Sequence, residues 1–362
     1  MFIKNAWYVA AWSHEVTHNR PFSRTLLGQS VVMWRGEDGG VTALPDRCPH
    51  RGAPLSKGRI EQGQLRCMYH GMMFDAAGAC THIPGQARMP PGADLRCLPV
   101  VERNKWVWVW MGDPALADPA LIPDAWWLDS ADWRYRPDYM HYDVNYLLIC
   151  DNLLDFSHLA FVHEKTLGGG AAYAEVKSEI DRRPDGLHIE RWHMDSVPAP
   201  FVTNLVGWTH NVDRWNIYDF VLPGILLMDS GSAVAGTGAR QGNRSQALEF
   251  RSAQALTPET ENSTHYFFSQ AHNFALDDPT VTDRLHAGLL VGFKEDWDMI
   301  HAQARVLAQD PTFRMMPLGV DAALGYFRAL VGKRVGEEQA VYNPVQRPAQ
   351  NPVQSDRQSV AA

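Results

Sequence analysis

Residues 48–71 read CPHRGAPLSKGRIEQGQLRCMYHG. Two cysteines stand just ahead of a histidine, as Cys48-Pro49-His50 and Cys67-Met68-Tyr69-His70, with sixteen residues between His50 and Cys67. A core cysteine needs no such company, and a disulfide would leave the histidines unexplained. Pro49, Gly52, Pro54 and Gly71 supply turn chemistry on either side. Four soft and borderline ligands on two tight turns imply a metal site.

Thiolate and imidazole suit both iron and zinc. Two cysteines on one iron and two histidines on the other make the Rieske form of a [2Fe–2S] cluster. Neutral histidines donate less charge than thiolates, which places such a cluster at about −150 to +300 mV, against about −400 mV for plant-type ferredoxins. A structural Cys2His2 zinc site usually groups its cysteines together and its histidines together. Here each loop carries one of each, which favours the cluster. Cys80, Cys97 and Cys150 read as buried thiols.

At 362 residues the chain is long enough for two domains with real cores. Its 45% hydrophobic and 20% charged residues are ordinary for a globular protein. A net charge of −8 argues against nucleic acid or an anionic membrane as the main partner, and permits a moderately basic protein to dock. Five cysteines do not resemble a secreted disulfide framework. The start, MFIKNAWYVAAWSHEV, has no uninterrupted apolar core of a signal peptide, and no window reaches 18 apolar residues. The expected setting is a reducing cytoplasm.

The first ~110 residues read as strands broken by turns, a small all-β unit. SVVMWRGEDGGVTALPDRC has the pattern of a hairpin, and KWVWVWMGDP alternates Trp106, Trp108 and Trp110 with Val107 and Val109. The Pro-rich GDPALADPALIPD suits a linker. Beyond it, NYLLICDNLLDFSHLAFVHE has helical spacing. LHIERWHM, RWNIYDFVLPGILLMDSG and STHYFFSQAHNF read as strands. DDPTVTDRLHAGLLVGFKEDWDMIHAQARVLAQD reads as a long amphipathic helix opened by proline. The expected fold class is α+β, and the expected boundaries are a first domain over 1–112, a linker over 113–124, a second domain over 125–341 and a disordered tail over 342–362.

A second dense stretch is CDNLLDFSHLAFVHE. Asn152, Asp155 and His158 step by three, along one stripe of a helix. His163 lies about 140° further round than His158 on an ideal helix. Both face one metal only if the helix ends, tightens or bulges between them. Two histidines and a carboxylate make the facial triad of non-haem Fe(II) oxygenases. Glu295, Asp296 and Asp298 in FKEDWDM are the candidates for the carboxylate, and the residues alone leave all three open.

Taken together, Cys-x-His-x16-Cys-x2-His and Asn-x2-Asp-x2-His-x4-His resemble the α subunits of Rieske non-haem iron oxygenases. The likeness is to the vanillate O-demethylase and dicamba monooxygenase group. CPHRGAPLSKG, CMYHGMMFD, IPGQ, DNLLDFSHLAFVH, LTPETENSTHYFF and FKED carry it, over nearly everything before about Tyr342. The resemblance implies a Rieske domain followed by a catalytic domain, an antiparallel sheet with long helices of helix-grip type. It implies that Cys48 and Cys67 bind one cluster iron, His50 and His70 the other, and that His158, His163 and Asp296 hold a mononuclear Fe(II). Asp155 would bridge a cluster histidine and an iron histidine, with Asn152 beside the iron. It further implies a head-to-tail homotrimer, in which one subunit's cluster serves its neighbour's iron. No Gly-rich flavin or nicotinamide fingerprint is visible, so electrons are expected from a separate ferredoxin and NAD(P)H-dependent reductase.

The implied reaction is O2-dependent O- or N-dealkylation of a substituted aromatic, a methyl ether or N-alkyl anilide, with release of an aldehyde. Hydroxylation of a ring or methyl group is the alternative within the family. A pure Rieske carrier or a zinc-stabilised binding protein would lack the second histidine site. Dicamba-type enzymes have a substrate-binding histidine three positions before the Thr of LTPET. Gln254 stands there in this chain and carries no charge, which points to a neutral substrate. Arg240, Arg244 or Arg251 could restore the charge.

Overall fold

The computed structural model describes residues 2–168 and 170–342. The first domain is built from ten strands: β1 (Trp7–Trp12), β2 (Phe22–Leu26), β3 (Gln29–Arg35), β4 (Val41–Pro45), β5 (Arg59–Glu61), β6 (Gln64–Arg66), β7 (Met73–Phe74), β8 (Cys80–His82), β9 (Val100–Arg103) and β10 (Trp106–Trp110). They form two three-stranded sheets, β1-β10-β9 and β2-β3-β4, and a four-stranded sheet, β5-β6-β7-β8. The expected hairpin is β3–β4, paired from Val31 with Pro45 to Arg35 with Val41. Residues 113–124 contain no strand; two short 3-10 turns there are capped by Asp113 and Asp118.

The second domain runs β11 (Arg134–Tyr142), α1 (Tyr146–Leu154), β12 (Glu179–Arg183), β13 (Gly186–Ser196), α2 (Pro200–Val206), β14 (Val212–Val221), β15 (Ile225–Val234), β16 (Leu248–Thr260), β17 (Ser263–His272), α3 (Pro279–Gln309) and α4 (Ala322–Tyr342). Its strands form one antiparallel sheet in the order β11-β17-β16-β15-β14-β13-β12. The long helix begins as expected, with Asp278 accepting from Thr280 N and Pro279 at the first position. Helix α4 was not expected. Apart from Tyr342, the expected tail lies outside the described residues.

The alternation in β10 explains how the halves join. Val107 and Val109 belong to the first domain's own core with Tyr8, Val31 and Met33. Trp106, Trp108 and Trp110 face the other way and, with Trp7 and Trp12, pack on Ile225, Ala253, Ala255, Phe267 and Ala271 of the second sheet. Burying apolar surface contributes about 25 cal/mol per Å2, so a seam of five buried indoles holds the domains as one body. Thr257 Oγ1 donates across it to Val9 O at 2.7 Å.

The opposite face of that sheet packs against helices. Tyr218, Phe220, Leu226, Leu256, Tyr266 and Phe268 meet Ile149 and Leu153 of α1, Leu289 and Phe293 of α3, and Phe327 and Val331 of α4. Successive side chains of a strand point to opposite faces. In β16, Ala253 and Ala255 therefore serve the seam, while Ser252 and Gln254 face a cavity on the helix side.

Candidate metal centres

The two Cys/His loops are the same backbone turn built twice. Cys48 N donates to Ala53 O and Gly52 N to Cys48 O; Cys67 N donates to Met72 O and Gly71 N to Cys67 O. Both thiols are buried, whereas His50 and His70 are exposed with ring centroids 4.4 Å apart. Burial pushes the Cys48 thiol up, and the neighbouring Cys67 adds to this. A thiolate there needs a cation. Among the described residues only His158, His163 and Asp296 bring three ligand atoms within 4.8 Å of one another. The Cys/His donors instead form a thiol pair inside and an imidazole pair outside, as a two-iron cluster requires and a four-coordinate zinc does not.

A third pair with the same spacing, Cys80-Thr81-His82, escaped the sequence reading. Its cysteine is buried while His82 is exposed. Cys150 is buried as expected, but Cys97 is half-buried, with its thiol near Ala76 O and Ala43 O.

The second centre answers the geometric demand that two histidines five apart impose. Helix α1 stops at Leu154 because Asp155 is extended, at φ −131° and ψ 98°. Asp155 then caps a 3-10 turn over Phe156–Ala160 by accepting from Ser157 N at 2.9 Å. This change of winding brings His158 and His163 to one point, ring centroids 5.2 Å apart. From α3, Asp296 Oδ1 lies 3.1 Å from His163 Nε2 and 3.5 Å from His158 Nε2. Asn152 Nδ2 donates to the same oxygen at 2.9 Å.

The far nitrogens are tied as well. His158 Nδ1 faces Asp155 O at 2.6 Å, and His163 Nδ1 faces Glu295 Oε2 at 2.7 Å. A proton held on each Nδ1 leaves each Nε2 lone pair free for a metal. Burial lowers the pKa of His158 despite Asp296. Burial acts the same way on His163, but Asp296 and Glu295 outweigh it and raise that pKa. His163 is 2% exposed, Asp296 11% and His158 18%. Three donors of this type, two buried and one half-buried, fit Fe(II) in this disposition.

The three candidate carboxylates thus separate by position. Asp296 joins the histidines, Glu295 also accepts from Thr166 Oγ1 at 2.6 Å, and Asp298 pairs with Lys294 on the exposed face at 2.8 Å. The role of Glu295 was missed, since only the fold shows what stands opposite it. Glu295→Gln is expected to lower iron affinity about 10–100-fold, measured as iron lost to a graded chelator. Unchanged retention would reduce Glu295 to a surface acid.

Asp155 is next to the centre, but within one chain its carboxylate faces Ser157 N and Oγ, with Arg191 Nη2 3.8 Å away. It meets no cluster histidine in its own chain.

Beside the centre is a cavity of about 80 Å3. Leu153, Phe156, Leu159, Phe201, Leu289 and Phe293 supply its apolar wall, and β14–β17 supply Arg214, Asn216, Ser230, Ser252, Gln254 and Gln270. Gln254 lines it, with both ends of its amide engaged: Oε1 accepts from Tyr266 OH, and Nε2 donates to Ser252 Oγ at 3.0 Å. Arg240, Arg244 and Arg251 do not line the cavity; they pair with Glu179 and Asp229. The cation that does line it is Arg214, which the sequence reading missed.

Two family models match the chain. One, the Rieske [2Fe-2S] domain, covers residues 6–99; the other, the vanillate O-demethylase oxygenase C-terminal domain, covers residues 142–337. The iron-sulfur subunit of the toluene-4-sulfonate monooxygenase system of Comamonas testosteroni is 46% identical over 342 residues, spanning 93% of this chain and 98% of that one. A vanillate O-demethylase oxygenase subunit from a Pseudomonas species is 34% identical over 94% of this chain and 96% of its own length. The crystal structure of dicamba monooxygenase with non-heme iron and dicamba is 34% identical and superposes with a TM-score of 0.79, covering 94% of this chain and 99% of that one. The all-β first domain and the antiparallel sheet with long helices are therefore those of that group, as expected. No helix among the described residues is long and apolar enough to cross a membrane. With both metal centres of the family and near full-length relatives, the chain belongs to the Rieske non-haem iron oxygenases of the vanillate O-demethylase and dicamba monooxygenase group, and is the oxygenase component of a monooxygenase carrying a Rieske [2Fe–2S] cluster and a mononuclear iron.

Proposed function

We propose that this oxygenase hydroxylates a saturated carbon borne by an aromatic ring. Where that carbon is attached through oxygen or nitrogen, the product falls apart to an aldehyde and the phenol or amine, which is oxidative dealkylation. Where it is attached directly, the alcohol persists. The observation that carries this reading is the convergence of His158 Nε2, His163 Nε2 and Asp296 Oδ1 on a cavity walled by leucine and phenylalanine. The named activity of the vanillate relative supports dealkylation, and the named substrate of the toluenesulfonate relative bears a ring methyl, which widens the choice.

In this assignment Cys48 and Cys67 hold one cluster iron, His50 and His70 the other, and His158, His163 and Asp296 the mononuclear iron. When bound, the cluster supplies single electrons and the iron supplies O2 activation. The chain's own residues prepare the site. Asp155 O and Glu295 keep both imidazoles in the metal-facing tautomer. Asn152 orients Asp296 by donating to Oδ1. Leu153, Phe156, Leu159, Leu289 and Phe293 seat the ring and exclude water. In the net reaction one C–H bond, O2, two electrons and two protons yield one C–OH and water. The electrons come from a ferredoxin and an NAD(P)H-dependent reductase on other chains. The working unit is a homotrimer, in which Asp155 bridges to a neighbour's cluster histidine.

The test is a single turnover of reduced, iron-replete protein with O2 on three substrates: toluene-4-sulfonate, a methoxybenzoate and a methoxy anilide. Benzylic alcohol from the first or formaldehyde from either of the others supports the proposal. A ring phenol or diol with the side carbon intact overturns it in favour of ring hydroxylation.

A further inference from the structure

Arg214 projects from β14 into the cavity beside the metal centre and is 6% exposed. Its Nη1 donates to Gly168 O and its Nη2 to Leu167 O, the latter at 2.8 Å. A guanidinium has five N–H donors, so these carbonyls use two of them. The face of Tyr173 lies 4.8 Å from its Cζ. Among the described residues no carboxylate comes within 4.0 Å of it, whereas Arg240, Arg244 and Arg251 each have an acid. A buried charge without a counter-ion is costly, and arginine does not escape by losing its proton.

The rest of the cavity provides no compensation. Its other ionisable lining groups are His158, His163 and Asp296, the proposed ligands of a dication. Asn216 and Ser230, paired directly across β14 and β15, stand on the same face as Arg214. The approach has the same sign. A second cavity of about 320 Å3 shares Leu167, Phe201, Gln270 and Leu289 with the first. It carries Lys165 and Arg284 and no acidic side chain.

We propose that Arg214 is the receptor for an anionic group on the substrate, a sulfonate or carboxylate on the aromatic ring, reached through the Lys165–Arg284 vestibule. The proposal rests on the assignment of this cavity as the substrate site and deepens it. It also reverses the expectation drawn from Gln254. The anion is recognised from β14, and Gln254 is tied into its own sheet. Guanidinium paired with a tetrahedral or planar oxyanion gives short, charge-assisted bonds, and here the anion completes the charge balance that the folded chain leaves open.

The test is equilibrium binding to iron-loaded, oxidised protein without reductant. Toluene-4-sulfonate is compared with its neutral isostere methyl p-tolyl sulfone, and the ratio of the two Kd values is the readout. The parent is expected to favour the sulfonate. Arg214→Gln is expected to shift the ratio against the sulfonate by about 30-fold, the scale of a lost hydrogen bond to a charged group, and Arg214→Lys to recover part of the preference. The cluster's absorption spectrum reports that each variant is folded. Equal weakening of both ligands would make Arg214 a support for the loop at Leu167 and Gly168, and overturn the proposal. A parent that binds both ligands equally would also overturn it. Failure of the function itself looks different: the sulfonate binds through Arg214, but turnover produces neither alcohol nor aldehyde.

Discussion

Asp296→Ala is expected to leave the protein folded and its cluster spectrum unchanged, while mononuclear iron is lost and turnover falls by roughly a thousandfold or more. Three carboxylates lie within four residues on α3, and only one has its oxygen where both imidazoles point. Asp296 Oδ1 is 3.1 Å from His163 Nε2 and 3.5 Å from His158 Nε2. Glu295 is held behind His163, and Asp298 faces solvent with Lys294. The three alanine variants should therefore rank in iron loss as Asp296 first, Glu295 second and Asp298 last. Metal analysis beside the visible spectrum separates the two centres, because the cluster residues lie in the other domain. Retained iron and activity in Asp296→Ala, with loss in either of the others, would move the third ligand to that residue.

The second large effect is expected at Asp155. Asp155→Asn should keep both metals and lose at least about a hundredfold in turnover, the scale seen when an ionised partner of a catalytic imidazole is neutralised. Asparagine retains an oxygen for Ser157 N, so the cap that opens the 3-10 turn over Phe156–Ala160 survives. The main-chain oxygen that holds His158 Nδ1 is untouched. The charge is lost and one acceptor oxygen, the one facing Ser157 Oγ, becomes a donor that the hydroxyl can meet by rotating, so the variant separates two roles. A carboxylate that merely caps a turn gives activity within two- to threefold of the parent, whereas one that links the iron to a neighbouring subunit's cluster gives nearly none. Near-parent turnover with full iron content would remove Asp155 from the mechanism.

What the amino acids revealed in advance follows how local each feature is. The cluster loops lie within 24 residues, and their turns could be read from Pro and Gly alone. The histidines of the second centre are legible as residues, but a change of winding between them is legible only as a requirement, and the 3-10 turn over Phe156–Ala160 that meets it is not. Asp296 is 133 residues beyond His163, and neighbouring positions on a helix differ by about 100°. Only the docked orientation of α3 distinguishes it physically from Glu295 and Asp298. Arg214 left no trace in any motif, because a strand side chain is defined by what lies across the sheet. Helix α4 could have been read from its buried stripe of Ala323, Phe327, Leu330, Val331 and Val335. Gly325, Gly332 and Gly336 between them weaken the helical propensity that draws attention to such a stripe.

The alternation along β15, β16 and β17 has a consequence for how this scaffold can diverge. Adjacent codons answer to different constraints: 253 and 255 to the union of the two halves, 252 and 254 to the cavity beside the histidine and aspartate cluster. The same division holds between Phe267 and Gln270, and between Ile225 and Met228. A lineage can therefore rewrite the lining one substitution at a time without loosening the frame that keeps the redox centres in register. Such a frame can be inherited unchanged while diet alters.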